Sequence, residues 1–182
     1  KYNKPGNVYL GVVHRLDRPT SGLLVFAKTS KALSRLNYQF KLRTTKKVYW
    51  AIVEKLFPEE EGTLIHWMTR DKKKNRSKAH NKEVLNSKKA ILHFKCIQYF
   101  NKYTLLEISL ETGRHHQIRS QLSSYGYPIQ GDLKYGAARS NKNGGISLMA
   151  KMIEINHPIK NDKLLFNVNP EKVGIWRNVL YD

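Results

Sequence analysis

The chain has 182 residues, with 33 Lys and Arg against 14 Asp and Glu, so its formal net charge is +19. This length suits one domain with a substantial core. Such an excess of positive charge predicts a surface that binds nucleic acid. A basic protein of membrane surfaces is the competing class, but it would need an amphipathic basic helix, which the sequence does not show.

Further classes are excluded by what the sequence lacks. No apolar run approaches the roughly 18 residues of a membrane span, and no signal peptide opens the chain. Cys96 is the single cysteine, so no internal disulfide can form and a cytoplasmic location is expected. The seven histidines form no metal-binding signature, and neither a phosphate-binding glycine loop nor a nucleophile elbow is present.

A loop with a single carboxylate lies between the first two predicted strands, residues 8–13 and 23–27. Asp17 occupies this loop with Arg15 and Arg18 on either side, followed by proline, threonine, serine and glycine, which favour turns. A carboxylate held between cations is expected to stay ionised, as a carboxylate nucleophile must. The alternative interpretation is an Asx turn, in which the Asp17 side chain only caps its own loop.

A helix and two strands are predicted next. Ser30 can cap a helix whose apolar residues recur at helical spacing and which ends near residues 43–45. Residues 47–53 are rich in β-formers and almost continuously apolar, which predicts a central strand. An acidic turn then leads into a further strand at residues 63–68.

A basic, hydrophilic loop is predicted over residues 71–81. Its cations are expected to contact phosphates, although a solvated loop without a function is the alternative. Two long strands follow at residues 90–100 and 103–110, joined by a two-residue hairpin connection and differing in length through a bulge. The cations of the predicted loop are Lys72, Lys73, Lys74, Arg76 and Lys78.

A helix is predicted over residues 114–122, with Thr112 as its N-cap and the pair Tyr125-Gly126 at its end. Residues 115, 118, 119 and 122 would then share one face. Because this face is partly apolar, Arg119 should point inward, and an inward arginine needs an acidic partner. Asp17 is the natural candidate.

The remaining segments complete the predicted fold. Residues 1–7 are predicted to be a linker, residues 127–136 a glycine-punctuated loop and residues 137–145 a mobile polar segment. Strands are expected at residues 146–155 and 164–168, and a short helix from Pro170 through Trp176. Many strands with few helices indicate the α+β class, built on a mostly antiparallel sheet.

Five motifs together resemble the RluA-type pseudouridine synthases. They occur in the family's order and cover nearly the whole chain, so that their combination is highly specific although each alone is weak. His115 stands where the family often has threonine, and Met149 where it often has histidine. The motifs are His14-Arg15-Leu16-Asp17 with Thr20-Ser21-Gly22-Leu23-Leu24, Lys47-Val48-Tyr49-Trp50-Ala51-Ile52-Val53, Gly113-Arg114-His115-His116-Gln117-Ile118-Arg119, Gly131-Asp132-Leu133-Lys134-Tyr135-Gly136, and Leu148-Met149-Ala150 with His157-Pro158.

The resemblance implies a long, bent, mixed but mainly antiparallel sheet, and a reaction that needs neither cofactor nor metal. That reaction is the isomerisation of a specific uridine in ribosomal or transfer RNA to pseudouridine, after the nucleotide has been flipped into a pocket. By similarity Asp17 is the catalytic carboxylate, Tyr49 stacks on the flipped uracil and can move a proton, and Arg119 pairs with Asp17. Arg15 holds the extruded site open.

The remaining expectations concern substrate contacts and domain organisation. Further contacts are expected from Arg114 and Gln117 of the third motif, and from Lys72, Lys73 and Arg76 of the basic loop. The chain is expected to be one monomeric catalytic domain, residues 1–182, that lacks the N-terminal segment usual in the family. It is expected to bind RNA and no membrane. Two alternatives remain, a non-catalytic RNA-binding module and a base-excising glycosylase.

Overall fold

The computed structural model describes residues 8–160 and 162–180, so the predicted linker at residues 1–7 lies outside the described residues. No helix within the described ranges is both long enough and apolar enough to cross a membrane. Two short 3₁₀ turns, Leu133–Tyr135 and Gly174–Asn178, accompany the regular elements. These elements are β1 (Gly11–Val12), β2 (Ser21–Gly22), β3 (Phe26–Ala27), α1 (Ser30–Leu42), β4 (Lys46–Glu54), β5 (Glu61–Asp71), β6 (Arg76–His80), β7 (Lys88–Tyr99), β8 (Tyr103–Leu110), α2 (Gln117–Ser124), β9 (Leu148–Asn156) and β10 (Lys163–Asn167).

One large sheet organises the fold, with its strands in the order β10-β9-β4-β8-β7-β5-β6. Every neighbouring pair in this order is antiparallel, and β2 adds to β9 in the parallel sense. β1 and β3 form a separate antiparallel ribbon. The prediction of an α+β fold with a mixed, mainly antiparallel sheet is confirmed, and β4 is an interior strand as its apolar sequence predicts.

β4 is buried on both faces because its alternating side chains enter two different cores. Ala51 and Val53 join the larger core, which α2 covers. Trp50 and Ile52 point to the opposite face and join a smaller core that includes Val179 after the C-terminal 3₁₀ turn. A strand covered on both sides loses the polar alternation of a half-exposed strand, which explains the nearly continuous apolar run.

α1 covers a third, smaller core beside β9. Its N-cap is Thr29, whose hydroxyl accepts a hydrogen bond from the Ala32 amide at 3.1 Å, so the prediction of Ser30 as the cap is wrong by one residue. The helix ends at Arg43 in the left-handed conformation, within the predicted range. Its buried Leu36 packs in a cluster with Ile153 of β9.

The prediction of a loop over residues 71–81 holds for the exposed turn of residues 72–75 and is wrong after it, because β6 forms there as the edge strand of the large sheet. Ser77 and Ala79 point inward, whereas Arg76 and Lys78 are exposed. Only small residues face the core, so the segment lacks the alternation of large apolar residues that signals a strand. Cations on an exposed edge also discourage pairing with other chains.

α2 begins three residues later than predicted, at Gln117 rather than residue 114. His116 precedes it in the left-handed conformation, with φ of 52°, and interrupts the helix at that point. Thr112 is not its cap, since its hydroxyl donates to the Gln117 side chain at 2.8 Å. The helix ends at Tyr125, in agreement with the prediction.

The other strand predictions hold with altered bounds. The first two predicted strands shrink to the two-residue pairing of β1 with β3. Phe100 and Tyr103 close the predicted two-residue connection with a hydrogen bond of 2.9 Å, and the predicted bulge lies between Cys96 and Gln98. The helix predicted from Pro170 is wrong, because only the 3₁₀ turn of residues 174–178 forms there.

Candidate active site

The loop that carries Asp17 is fixed by backbone hydrogen bonds. The Thr20 amide donates to the Asp17 carbonyl at 2.8 Å and closes a turn, while the Ile146 amide donates to the Pro19 carbonyl at 3.0 Å. β2 then anchors the end of the loop to β9. The Asp17 carboxylate contacts Arg119 rather than its own loop, so the Asx-turn interpretation is wrong.

Arg119 points inward and lies between two carboxylates. Its side chain is 4% exposed, and the prediction of its inward orientation is confirmed. Its Nη1 reaches Asp17 Oδ2 at 3.3 Å, whereas Nε and Nη2 donate to both oxygens of Asp132 at 2.7 and 2.9 Å. Arg119 thus pairs with Asp17 through one hydrogen bond, whereas Asp132 accepts the two-pronged bond.

Burial opposes the charge of the Arg119 guanidinium. The hydrogen bonds and charge of Asp132, followed by the charge of Asp17, outweigh this effect and raise the pKa of Arg119 above its ordinary value. The predicted clamp on Asp17 by its sequence neighbours is not observed, since Arg15 and Arg18 are exposed. The cation that contacts Asp17 comes from α2 instead.

Tyr49 is placed by an irregularity in the sheet. The register between β4 and β9 shifts between Val48 and Tyr49, and such bulges re-aim side chains next to functional sites. Burial, followed by the nearby charge of Asp17, raises the pKa of Tyr49 to about 12. Its hydroxyl is therefore protonated at neutral pH and can donate a hydrogen bond.

A cleft of about 330 Å³ brings together six of the predicted site residues. His14, Lys47 and His116, which are not among the predicted site residues, also line it. Burial, reinforced by the charge of Lys47, lowers the pKa of His14 to about 4. The six predicted residues are Asp17, Tyr49, Arg119, Arg15, Arg114 and Gln117.

Two of the predicted substrate-binding residues also have structural partners. Gln117 is 3% exposed, and its side-chain oxygen accepts hydrogen bonds from the Thr112 hydroxyl and the Arg114 amide. Its side-chain nitrogen donates to the Ile91 carbonyl at 3.0 Å. The Nε of Arg114 donates to the Lys89 carbonyl at 3.0 Å. Gln117 therefore shapes the wall of the cleft, and its contact with substrate stays a prediction.

The predicted RNA-binding cations lie on the hairpin of β5 and β6, outside the lining of the Asp17 cleft. Lys72 and Lys73 occupy its exposed turn, and the Arg76 guanidinium lies 5.2 Å from the centre of the Tyr135 ring. The Asn75 carbonyl in this turn accepts a hydrogen bond at 3.3 Å from Lys134, which follows Asp132 by two residues. The phosphate contacts of the hairpin stay predictions.

Asp132 and Tyr135 are the functional neighbours that the sequence reasoning missed. Both belong to the segment 131–136, which is one of the five family motifs and is predicted as part of a glycine-punctuated loop, but neither residue is assigned a role. The need of Arg119 for an acidic partner is the signal that could have identified Asp132. Within residues 8–160 and 162–180, no group of three or more metal-binding side chains is assembled.

Comparison with known proteins decides the family. A sequence profile described as RNA pseudouridylate synthase matches residues 1–124. The chain belongs to this family. Its resemblance to the RluA type is confirmed, since the relatives include proteins named as large-subunit pseudouridine synthases C and D. A human protein titled RNA Pseudouridylate Synthase Domain Containing 1 shares the fold, with a TM-score of 0.76, 23% identity, and coverage of 90% of this chain and 70% of that one.

Two bacterial relatives are longer than the region that each shares with this chain. The Uncharacterized RNA pseudouridine synthase YlyB of Bacillus subtilis is 38% identical over 81% of this chain and 48% of its own length. The Ribosomal large subunit pseudouridine synthase D of Borreliella burgdorferi is 33% identical over 94% of this chain and 52% of its own length. The chain therefore spans about half the length of these relatives.

Proposed function

We propose that this chain isomerises a uridine in RNA to pseudouridine, with Asp17 as the catalytic carboxylate. The observation that carries the proposal is the position of Asp17, which contacts a buried arginine in a cleft shared with Tyr49. Ribosomal RNA is favoured as the substrate, because several relatives are named for the large ribosomal subunit. Transfer RNA, a cytoplasmic location, a monomeric state and a single catalytic domain stay predictions.

The proposed reaction breaks the bond between N1 of uracil and the ribose C1′ and forms a bond between C5 and C1′. The C5 proton is lost and N1 gains a proton, so the product is an isomer of the substrate. Asp17 attacks or deprotonates the nucleotide, and Arg119 holds its carboxylate in place. Tyr49 stacks on the uracil, and its protonated hydroxyl is available as a proton donor.

Base flipping gives the surrounding cations a role in this reaction. Extruding a nucleotide from a folded RNA costs about a few kcal/mol of stacking and pairing. Contacts between the phosphates and the basic surface, with its formal net charge of +19, offset that cost. Arg15 is exposed at the cleft, where its side chain can occupy the space that the flipped uridine leaves in the RNA.

The decisive experiment compares the wild type with Asp17→Asn, and with Asp162→Asn as a control at an exposed acid outside the cleft lining. Tritium release from RNA labelled at uracil C5 measures the reaction, and filter binding measures RNA affinity. We expect Asp17→Asn to abolish tritium release while affinity stays within a few-fold, because one carboxylate contributes little to phosphate contact. The control should behave as the wild type.

Two other outcomes would identify the competing functions. Release of free uracil by the wild type would indicate a base-excising glycosylase. RNA binding with neither tritium release nor free uracil would indicate a non-catalytic binding module. Substantial turnover by Asp17→Asn would remove Asp17 from its proposed role.

A further inference from the structure

His116 is a buried histidine beside the proposed catalytic carboxylate. Its side chain is 7% exposed, and its Nε2 lies 3.7 Å from Asp17 Oδ2. The ring stacks on His115, with 3.8 Å between the ring centres. The backbone of His116 is left-handed just before α2, and its ring makes no capping hydrogen bond to the helix.

The hydrogen bonds around His116 determine which of its nitrogens carries the proton. The Ser77 amide donates to the Tyr135 hydroxyl oxygen at 2.8 Å. The hydroxyl keeps its own proton, and its other partner is His116 Nδ1 at 2.9 Å. Tyr135 donates to an unprotonated Nδ1 in the arrangement that gives the hydroxyl proton an acceptor and that avoids an Nε2 lone pair facing the Asp17 carboxylate. In a neutral imidazole the proton then lies on Nε2, the nitrogen that faces Asp17.

The surroundings keep this imidazole neutral. Burial lowers the pKa of His116 to about 4, and the positive charge of Arg119 acts in the same direction. His115 and Lys134 lower it further, whereas Asp17 alone acts in the opposite direction. At neutral pH the ring thus presents an N–H dipole, and no positive charge, to the carboxylate.

We propose that the Nε2–H group of His116 acts with Arg119 as a positioning device for Asp17. Both groups approach the same oxygen, Oδ2, so Oδ1 is left for the nucleotide. The separation of 3.7 Å exceeds a hydrogen bond and shortens when a nucleotide fills the cleft, since catalytic hydrogen bonds are often long without substrate. This role rests on the proposed function, because it presumes that Asp17 is the reacting group.

The same contacts join the carboxylate to the basic hairpin. Ser77 belongs to β6, and its amide fixes Tyr135, which in turn fixes His116. The Ser77 hydroxyl also donates to the His115 carbonyl at 2.7 Å, so β6 contacts both histidine residues.

Nitrogen NMR of the free protein tests this assignment without any need for activity. In protein with ¹⁵N-labelled histidine at pH 7, we expect His116 to be neutral with its proton on Nε2. Asp17→Asn should shift the His116 Nε2 signal, because it removes the charge that this nitrogen faces. A proton on His116 Nδ1, or an Nε2 signal unaffected by Asp17→Asn, would overturn the inference.

Kinetics with two substitutions separates positioning from a structural role. Gln in place of His116 can offer an N–H donor near the position of Nε2, whereas Asn is too short to reach Asp17. We expect His116→Asn to lower kcat at least ten-fold with an unchanged KM for RNA, and His116→Gln to retain several-fold more activity. His93→Gln, at an exposed histidine outside the cleft lining, is the control.

A purely structural role predicts the opposite order. Residue 116 has a left-handed backbone, which Asn adopts more readily than Gln. A higher kcat for His116→Asn than for His116→Gln, or equal values, would therefore overturn the positioning role. A wild type without turnover would overturn the proposed function instead, and the NMR result would still decide whether His116 faces Asp17 as a neutral donor.

Discussion

Arg119 donates two hydrogen bonds to Asp132, at 2.7 and 2.9 Å. Two of its three guanidinium nitrogens therefore contact a carboxylate that takes no part in the proposed reaction. Asp132 has a side chain that is 1% exposed, whereas that of Asp17 is 27% exposed. The buried Asp132 thus compensates the charge of the arginine. Asp17 receives one longer hydrogen bond and stays accessible to substrate.

Asp132→Asn should strongly destabilise the protein. Asn keeps the size of the side chain but removes its charge, so the buried guanidinium loses its main compensation. Removing one partner of a buried ion pair typically costs about 3–5 kcal/mol of unfolding free energy, and we expect a loss in this range from urea denaturation. Glu154→Gln is the control, because its pair with the 75%-exposed Lys163 is worth at most about 1 kcal/mol. Equal losses in the two variants would contradict the assignment.

The sequence predicted the inward orientation of Arg119 but not its main partner. The apolar neighbours of Arg119 recur at helical spacing on one face, and this spacing holds although α2 begins later than predicted. Asp132 lies in a loop, where no period relates a residue to a direction, and its presence in the fourth family motif gave it no role, so the link to Arg119 could have come only from the need of the arginine for an acidic partner. The left-handed backbone of His116 could not be predicted either, because tertiary contacts and not local propensity determine it.

Strand β6 shows a second limit of the sequence. Its inward residues are Ser77 and Ala79, which are too small to give the strong alternation that predicts a strand. The interior strand β4, in contrast, carries large apolar residues on both faces and was predicted almost to the residue. The hydrophobic pattern thus predicts the interior strand β4, whereas it does not predict the polar edge strand β6 beside the site.

The turn of the β5–β6 hairpin should contribute to RNA affinity through charge alone. We expect the double substitution Lys72→Gln and Lys73→Gln to weaken RNA binding and to flatten its salt dependence by about 0.7–0.9 log units for each phosphate that is no longer neutralised. The matched control is Lys31→Gln with Lys41→Gln, which removes two exposed lysines of α1. RNA binding measured over a range of salt concentrations tests this prediction. Identical salt slopes in the two double variants would support the alternative, in which the turn is a solvated segment without a function.

His14 should make stability depend on pH. Its Nε2 accepts a hydrogen bond from the Val25 amide at 3.1 Å, and its ring stacks on Phe40, so the folded state favours the neutral form. The pKa is about 4 in the folded protein, against an ordinary value of 6.5. The unfolded chain therefore binds more protons between these values, and stability falls as the pH drops from about 6.5 to about 4.

Substitution of the titrating group tests this dependence. His14→Gln should make the fall in unfolding free energy shallower, by up to about 1.4 kcal/mol per pH unit. The substitution His93→Gln, at an exposed histidine, provides the comparison. Urea denaturation at several pH values is the measurement, and a slope unchanged by His14→Gln would show that His14 is not buried in its neutral form.

Gly22 should be irreplaceable because it lets the Asp17 loop lie directly on β9. Its φ is +111°, and a Cβ at this position would lie 2.6 Å from the backbone nitrogen of Ala150. Neither strain can relax by a side-chain rotation, so Gly22→Ala must push β2 away from β9. We expect a loss of at least about 2 kcal/mol of unfolding free energy, together with a loss of turnover, since Asp17 is carried by the displaced loop.

Gly113→Ala is the matched control for this effect. Gly113 has no atom within 4 Å of its would-be Cβ and no left-handed φ, so alanine there should change the unfolding free energy by no more than about 1 kcal/mol. Urea denaturation compares the two variants directly. If Gly22→Ala were as stable as Gly113→Ala, the parallel pairing of β2 with β9 would not be what holds the loop, and the backbone bonds of Thr20 and Ile146 alone would have to position Asp17.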